Sequence, residues 1–182
     1  MNQKYTRTAK SLHWLMALLL IGQLALGFYM SDLPLSPDKL QIYSWHKWAG
    51  VTLFMLVFFR IMWRLTHRTP DWPKSMSKLM QLAAHAGHFV LYALMFAIPL
   101  SGWLMSSARG IQTIYFKVLP IPDLLSKDKE LAVFFGDMHS ILSVLLVVVI
   151  LGHVAAALKH HYFDKDDVLT RMLPESHKEN LT

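Results

Sequence analysis

Residues 139–159 form an almost unbroken apolar run, HSILSVLLVVVILGHVAAALK. An α-helix needs about 20 such residues to cross the apolar core of a bilayer, which is about 30 Å thick. The run contains two histidines, His139 and His153, fourteen residues apart. At about 1.5 Å and about 100° per residue, they lie on nearly the same helix face and about 21 Å apart. Because an ionisable side chain inside a membrane is costly and usually functional, the run predicts a transmembrane helix that contributes to two sites.

Three other segments, at about 11–30, 45–65 and 82–105, have the same length and apolar character. The chain has 182 residues, of which 54% are hydrophobic and only 16% are charged, too apolar for an ordinary soluble domain. It has no cysteine, which excludes disulfides, iron–sulfur clusters and thiolate zinc sites. We therefore predict an all-α membrane protein, a single domain (1–182) with four transmembrane helices and an outer connection at 106–137.

Lysine and arginine divide unequally between the two sides of the membrane. Four spans put both termini on one side. The N-terminal arm, the 60–78 connection and the C-terminal tail carry 12 of the 18 basic residues, and the other two connections carry 6. The positive-inside rule then places both termini in the cytoplasm. Acidic residues split six and six, so the net charge of +6 lies on the inner side and requires no nucleic-acid partner.

Four local features add detail to this predicted topology. The first span lacks a convincing small-residue cleavage site, so we expect a retained helix rather than a signal peptide. Arg60, near the end of the second span, is expected to extend its guanidinium toward the lipid headgroups. Pro99 should kink the third span, with neighbouring helices covering the freed carbonyl. In the outer connection, PIPDLLSKDKELAVFFGD predicts a turn and then a short amphipathic helix on the membrane surface.

The histidines pair by their depth in the predicted bundle. His13 and His153 are both near the inner side, and His46 and His139 are both near the outer side. A b-type haem with two axial imidazoles needs one histidine from each of two facing helices at the same depth. A single buried histidine is ordinarily a hydrogen-bonded packing residue, but four at two matching depths favour two haem sites.

Other histidines leave alternatives open. His85 and His88 differ by about 60° in direction, so both can face the bundle. A proton-relay or quinone-contact role and simple polar packing are both open for them. Zinc or copper would need three or four ligands at one depth. One such cluster is conceivable, but it would leave the outer pair unexplained; its members are His13, His85, His88 and His153. His67 and His177 are interpreted as solvated.

Several motifs resemble one known family. They are KYTRTAKSLHW around His13, IYSWHKWAG around His46, LAAHAGH at the start of the third span, DMHS and GHVAAALKHHYF around the fourth, and the tail DKDDVLTRMLP. The chain resembles the bacterial cytochrome b561 family, which is related to the b-type subunits of nickel hydrogenases and formate dehydrogenases. The likeness covers nearly the whole chain, and the motif at the end of the fourth span is the most specific. It implies a four-helix bundle in the bacterial inner membrane with two b haems, ligated by His13–His153 inside and His46–His139 outside.

The resemblance also implies electron transfer between the outer face and the quinone pool, and one group of the family is similar to a superoxide oxidase that reduces ubiquinone. By depth, the quinone candidates are Lys78, His85, His88 and His160. Lys78 is explained equally well as a positive-inside anchor. Arg109 and Lys117 are candidates for steering a small anion such as superoxide, although the outer connection has no net charge and a solvated loop is the simpler interpretation. Candidate partners of haem propionates are Arg60, Arg64 and Lys47.

Three functions compete at this point. The first is a free-standing dihaem oxidoreductase that takes electrons from superoxide or another small periplasmic donor. The second is an electron-accepting anchor subunit for a peripheral dehydrogenase or hydrogenase. The compact length favours the first. A structural bundle without a cofactor would leave the paired histidines unexplained.

Overall fold

The fold is a bundle of four long helices in a computed structural model that describes residues 4–73 and 75–174. The helices are α1 (Arg7–Asp32), α2 (Pro37–Thr66), α3 (Lys78–Ala108) and α4 (Lys129–Lys159). All four are long and apolar enough to cross a membrane. This confirms the predicted four-helix membrane architecture. The topology and charge predictions also used residues outside the described ranges, namely Lys74, Glu175, Lys178 and Glu179. His177, interpreted as solvated, lies outside them as well.

Each helix begins at a capping side chain, several residues before its apolar run. The side-chain oxygens of the caps accept backbone N–H groups of the first turn; the caps are Thr6, Ser36, Ser77 and Asp128. Such caps satisfy amides that have no partner inside the helix. The sequence-based starts at about residues 11, 45, 82 and 139 are therefore late. The prediction of a separate surface helix is wrong, because residues 129–137 are the first turns of α4.

Many large apolar side chains are exposed, and few apolar residues are fully buried. The fully or nearly buried apolar residues of the helices include Leu12, Met16, Leu53, Val57, Leu94 and Leu146. In contrast, Leu18 is 71% exposed and Phe89 is 73% exposed. Large apolar surfaces of this kind are stable only against an apolar solvent, so the chain is a multi-pass membrane protein. The closest helix packing is between α3 and α4 and between α1 and α2.

The outer connection is folded onto α2 and α3. It contains a small antiparallel hairpin, β1 (Ile114–Tyr115) with β2 (Leu119–Pro120). The indole of Trp48 donates to the carbonyl of Ile114 at 2.8 Å, and that of Trp103 donates to the carbonyl of Pro122 at 2.8 Å. These bonds hold the connection against the outer end of the bundle.

The end of the bundle at which α1 begins and α4 ends, named the inner end after the predicted topology, is covered by the tail. After α4 the chain makes a π-helical turn, His160–Asp164, and the tail returns toward α1. The indole of Trp14 donates to the carbonyl of Met172 at 2.9 Å, and the indole of Trp63 donates to the hydroxyl of Thr6 at 3.2 Å. The tail, the start of α1 and the end of α2 are thus held together at one end of the bundle.

Candidate functional site

The outer pair of histidines meets between α2 and α4. The ring centroids of His46 and His139 are 6.2 Å apart, with an interplanar angle of 76°. Nδ1 of His139 lies 2.9 Å from the carbonyl oxygen of Ile98, directly before Pro99, and 3.1 Å from Oγ of Ser101. A carbonyl only accepts, so Nδ1 carries the proton and Nε2 keeps its lone pair. The bond from α3 therefore leaves Nε2 of His139 available as a ligand.

Two glycines make room for the outer rings. A Cβ atom on Gly27 of α1 would lie 3.1 Å from Cε1 of His46, and one on Gly102 of α3 would lie 3.1 Å from Cε1 of His139. Ordinary carbon–carbon contacts are about 3.5–4.0 Å. Each ring thus packs against bare backbone of a neighbouring helix. The sequence predicted neither glycine, because this role depends on which helix faces meet.

The inner pair meets between α1 and α4. The ring centroids of His13 and His153 are 6.3 Å apart. His88 of α3 lies beside them, with its ring centroid 5.4 Å from that of His153. The inner site is therefore a cluster of three imidazoles from three helices.

Arg60 joins three helices at this inner cluster. From α2, its Nη2 lies 3.3 Å from Nδ1 of His13, its Nη1 donates to the carbonyl of Ala9 at 3.2 Å, and its Nε donates to the hydroxyl of Tyr92 at 3.1 Å. These partners hold the guanidinium against α1 and α3, and its extension toward the lipid headgroups stays a prediction. A fixed positive charge thus lies beside the inner histidines.

The separation of the paired rings fits a metal held from both sides. An imidazole nitrogen lies about 2 Å from a bound metal, so two imidazoles on opposite sides of one metal have centroids about 6 Å apart. The observed separations are 6.2 and 6.3 Å. The available Nε2 of His139 and the close approach at Gly27 and Gly102 also suit a ligand between the rings. The chain thus has two histidine pairs whose ring separations match those of two axial imidazoles on one metal.

The remaining inner candidates lie in different surroundings. His85 is exposed and packs edge-on against Trp72, with ring centroids 5.1 Å apart, and Lys78 is exposed at the start of α3. His160 is buried, and its Nδ1 lies 2.6 Å from Oδ2 of Asp166. The ring of His85 packs against Trp72, and the four histidines of the zinc cluster considered from the sequence do not converge closely enough to hold a metal. Among the described residues, the histidines and carboxylates that converge closely enough to hold a metal are His160, Asp164 and Asp166.

The candidate outer cations belong to different segments of the chain. Arg109 is exposed directly after α3, and its Nη2 would lie 3.6 Å from a Cβ on Gly136. Lys117 is exposed in the turn of the hairpin, where its φ is +63°. Lys47, next to His46, points to the loop: its Nζ lies 2.5 Å from Oγ of Ser106 and 3.3 Å from the carbonyl oxygen of Ile111.

Four apolar helices that enclose facing histidines at two levels are the architecture of a b-type membrane cytochrome. A family model described as prokaryotic cytochrome b561 matches residues 4–175. The chain belongs to this family of membrane cytochromes, which bind b-type haem and transfer electrons. The family predicted from the histidine motifs is confirmed.

Named relatives agree with this assignment. Cytochrome b561 homolog 2 of Escherichia coli (strain K12) is 36% identical over 181 residues, covering 96% of this chain and 93% of the relative. The probable superoxide oxidase CybB of Yersinia pestis is 31% identical over 180 residues, covering 96% of this chain and 98% of the relative. Cytochrome b561 homolog 1 of Escherichia coli (strain K12) is 25% identical over 172 residues, covering 94% and 97%. The chain thus spans nearly the full length of each relative.

Proposed function

We propose that this cytochrome is a dihaem oxidoreductase of the bacterial inner membrane that passes electrons from superoxide, or another small periplasmic donor, to ubiquinone. One observation carries the proposal. His139 and His153 lie fourteen residues apart on α4, and each faces a histidine of another helix at 6.2–6.3 Å between ring centroids. Two cofactors held at these levels give electrons a path across most of the bilayer.

The four histidines are the proposed axial ligands, His46 with His139 outside and His13 with His153 inside. Bound b-type haem supplies the one-electron chemistry, and the protein supplies orientation and electrostatics. The carbonyl of Ile98 keeps the proton on Nδ1 of His139 and so directs Nε2 into the site. Arg60 keeps a positive charge beside His13, which favours the reduced state of an inner cofactor.

The proposed donor side is the outer one. Superoxide is a small anion, and exposed cations around the outer end of the bundle would raise its local concentration. Arg109 and Lys117 are the candidates for this steering, since both are exposed in the outer connection. The relative named as a probable superoxide oxidase supports this choice of substrate. Each superoxide anion gives up one electron and leaves as dioxygen.

The proposed acceptor side is the inner one. Reduction of one ubiquinone to ubiquinol takes two electrons, supplied by two superoxide anions, and two protons from the cytoplasmic side. The chain must deliver those protons close to the inner pair. His88 adjoins His153, and His160 with Asp166 forms a buried histidine–carboxylate pair that can hold and pass a proton. Lys78 and His85 are the exposed candidates for contact with the quinone oxygens.

The orientation is part of the proposal. The excess of lysine and arginine on the terminal side of the bundle supports cytoplasmic termini. The outer connection with its hairpin would then face the periplasm, where a soluble donor reaches the outer pair.

Stopped-flow mixing of superoxide with the purified protein in detergent tests this function. We expect haem absorbance to change to the reduced form within the mixing experiment, and added ubiquinone to reoxidise it. Arg109→Gln with Lys117→Gln should slow the reduction and flatten its dependence on ionic strength. If the haem is reduced no faster than in a control that contains superoxide dismutase, superoxide is not the donor. Reduction by a co-purifying dehydrogenase would then indicate the anchor-subunit function.

A further inference from the structure

Gln23 of α1 is held against the backbone of His46. Its Nε2 donates to the carbonyl oxygen of His46 at 2.7 Å, and a Cβ on Gly50, one turn further along α2, would lie 3.4 Å from the same nitrogen. Since a carbonyl only accepts, this bond fixes which end of the amide is the nitrogen. The other end is therefore Oε1, an acceptor.

Two complementary atoms at this place have no partner. In the part of the chain that the structure describes, Oε1 of Gln23 and Nδ1 of His46 are buried side-chain atoms without a hydrogen bond. Oε1 of Gln23 is the one oxygen among the buried unpartnered side-chain atoms of these residues. Gly27, one turn from Gln23 on α1, adjoins Cε1 and Nδ1 of the same ring. One face of α1 thus packs against His46, although α1 provides neither histidine of the outer pair.

The two outer histidines differ in whether Nδ1 has a hydrogen-bond partner. Nδ1 of His139 has the carbonyl of Ile98, whereas Nδ1 of His46 has no backbone acceptor. A metal-ligating histidine normally donates its second N–H to an acceptor, which fixes the ring and raises its basicity. When His46 binds through Nε2, its Nδ1 must carry a proton, and that proton needs an acceptor.

We propose that Gln23 is a positioning residue for His46, whose Oε1 accepts the Nδ1–H of this imidazole when Nε2 binds the outer haem. This rests on the proposed ligand role of His46. The amide then holds His46 at two points, its carbonyl and its ring. A more basic imidazole favours ferric over ferrous iron, so Gln23 lowers the reduction potential of the outer haem and leaves that of the inner haem unchanged.

Redox titration of purified variants, followed by haem absorbance, tests the proposal. Gln23→Met preserves the side-chain volume and removes the acceptor, and we expect a positive shift of the outer component. A tenfold smaller preference for ferric iron corresponds to about 59 mV for one electron. Gln23→Glu retains an acceptor and should show no positive shift. The matched control is Gln81→Met on α3, which also loses a bond from Nε2 to a backbone carbonyl, that of Met76 at 3.0 Å.

The outcomes separate the two proposals. If His46→Ala retains both haems, the ligand assignment fails whatever Gln23 does. If His46→Ala loses one haem and Gln23→Met leaves both potentials unchanged, the role of Gln23 is overturned. An equal shift in Gln23→Met and Gln81→Met would also overturn it. Selective loss of the outer haem in Gln23→Met, with both haems kept in Gln81→Met, would support it.

Discussion

Replacing Gly102 by alanine tests how tightly the outer site is built. The added Cβ would lie 3.1 Å from Cε1 and 3.2 Å from Nδ1 of His139. A normal contact of about 3.5–4.0 Å requires the ring to move by roughly 0.4 Å or more. The ring cannot move away from α3 freely, because its Nδ1 is bonded to the carbonyl of Ile98 on that same helix.

The expected cost follows from this constraint. Overpacking a close contact costs about 1–3 kcal/mol. If the cost falls on ligation by His139, affinity for the outer haem decreases roughly 5- to 150-fold. The inner pair does not contact Gly102 and should keep its haem.

Haem titration into haem-depleted protein measures this affinity, and the pyridine haemochrome spectrum gives the haem-to-protein ratio. Gly87→Ala is the matched control on α3, because a Cβ there meets nothing within 4 Å. Both variants change the helix propensity in the same way. Equal outer-haem affinity in Gly102→Ala and Gly87→Ala would refute the proposed packing of His139.

Two further variants probe the other sides of the sites. Gly27→Ala should weaken binding of the outer haem, because the added Cβ would press on the ring of His46. Gly22→Ala on the same helix is the control, since a Cβ there meets nothing within 4 Å, and it should leave the affinity unchanged. Haem titration compares the two variants. Arg60→Gln removes the positive charge 3.3 Å from His13, so the potential of the inner haem should fall, while Arg60→Lys should retain most of it. A redox titration with an unchanged inner component in Arg60→Gln would contradict the electrostatic role.

Periodicity and spacing were enough to predict the spans and the depth of the histidines. The run from 139 to 159 predicts a helix without knowledge of any partner, and fourteen residues place two side chains on one face of it. The structure brings together the rings that depth had paired, His13 with His153 and His46 with His139. Depth alone is enough to pair the histidines, because a membrane aligns all the helices along one axis.

The features that could not be predicted from the sequence depend on tertiary contacts or on the polar segments that precede the apolar runs. The helix starts were late because the caps, such as Asp128, lie in polar segments that hydropathy does not mark. The hydrogen bonds of Arg60 depend on partners from two other helices. Gln23 and Gly102 are unremarkable in sequence, and their roles appear only when the rotation of each helix is known.

The haem content of purified His139→Ala tests the central claim most directly. The wild-type protein should contain two b-type haems per chain, and His139→Ala should contain one, with the spectrum of the inner haem. His46→Ala should give the same one-haem species, since both remove ligands from one site. Two haems in His139→Ala, or different remaining haems in the two variants, would contradict the proposed pairing.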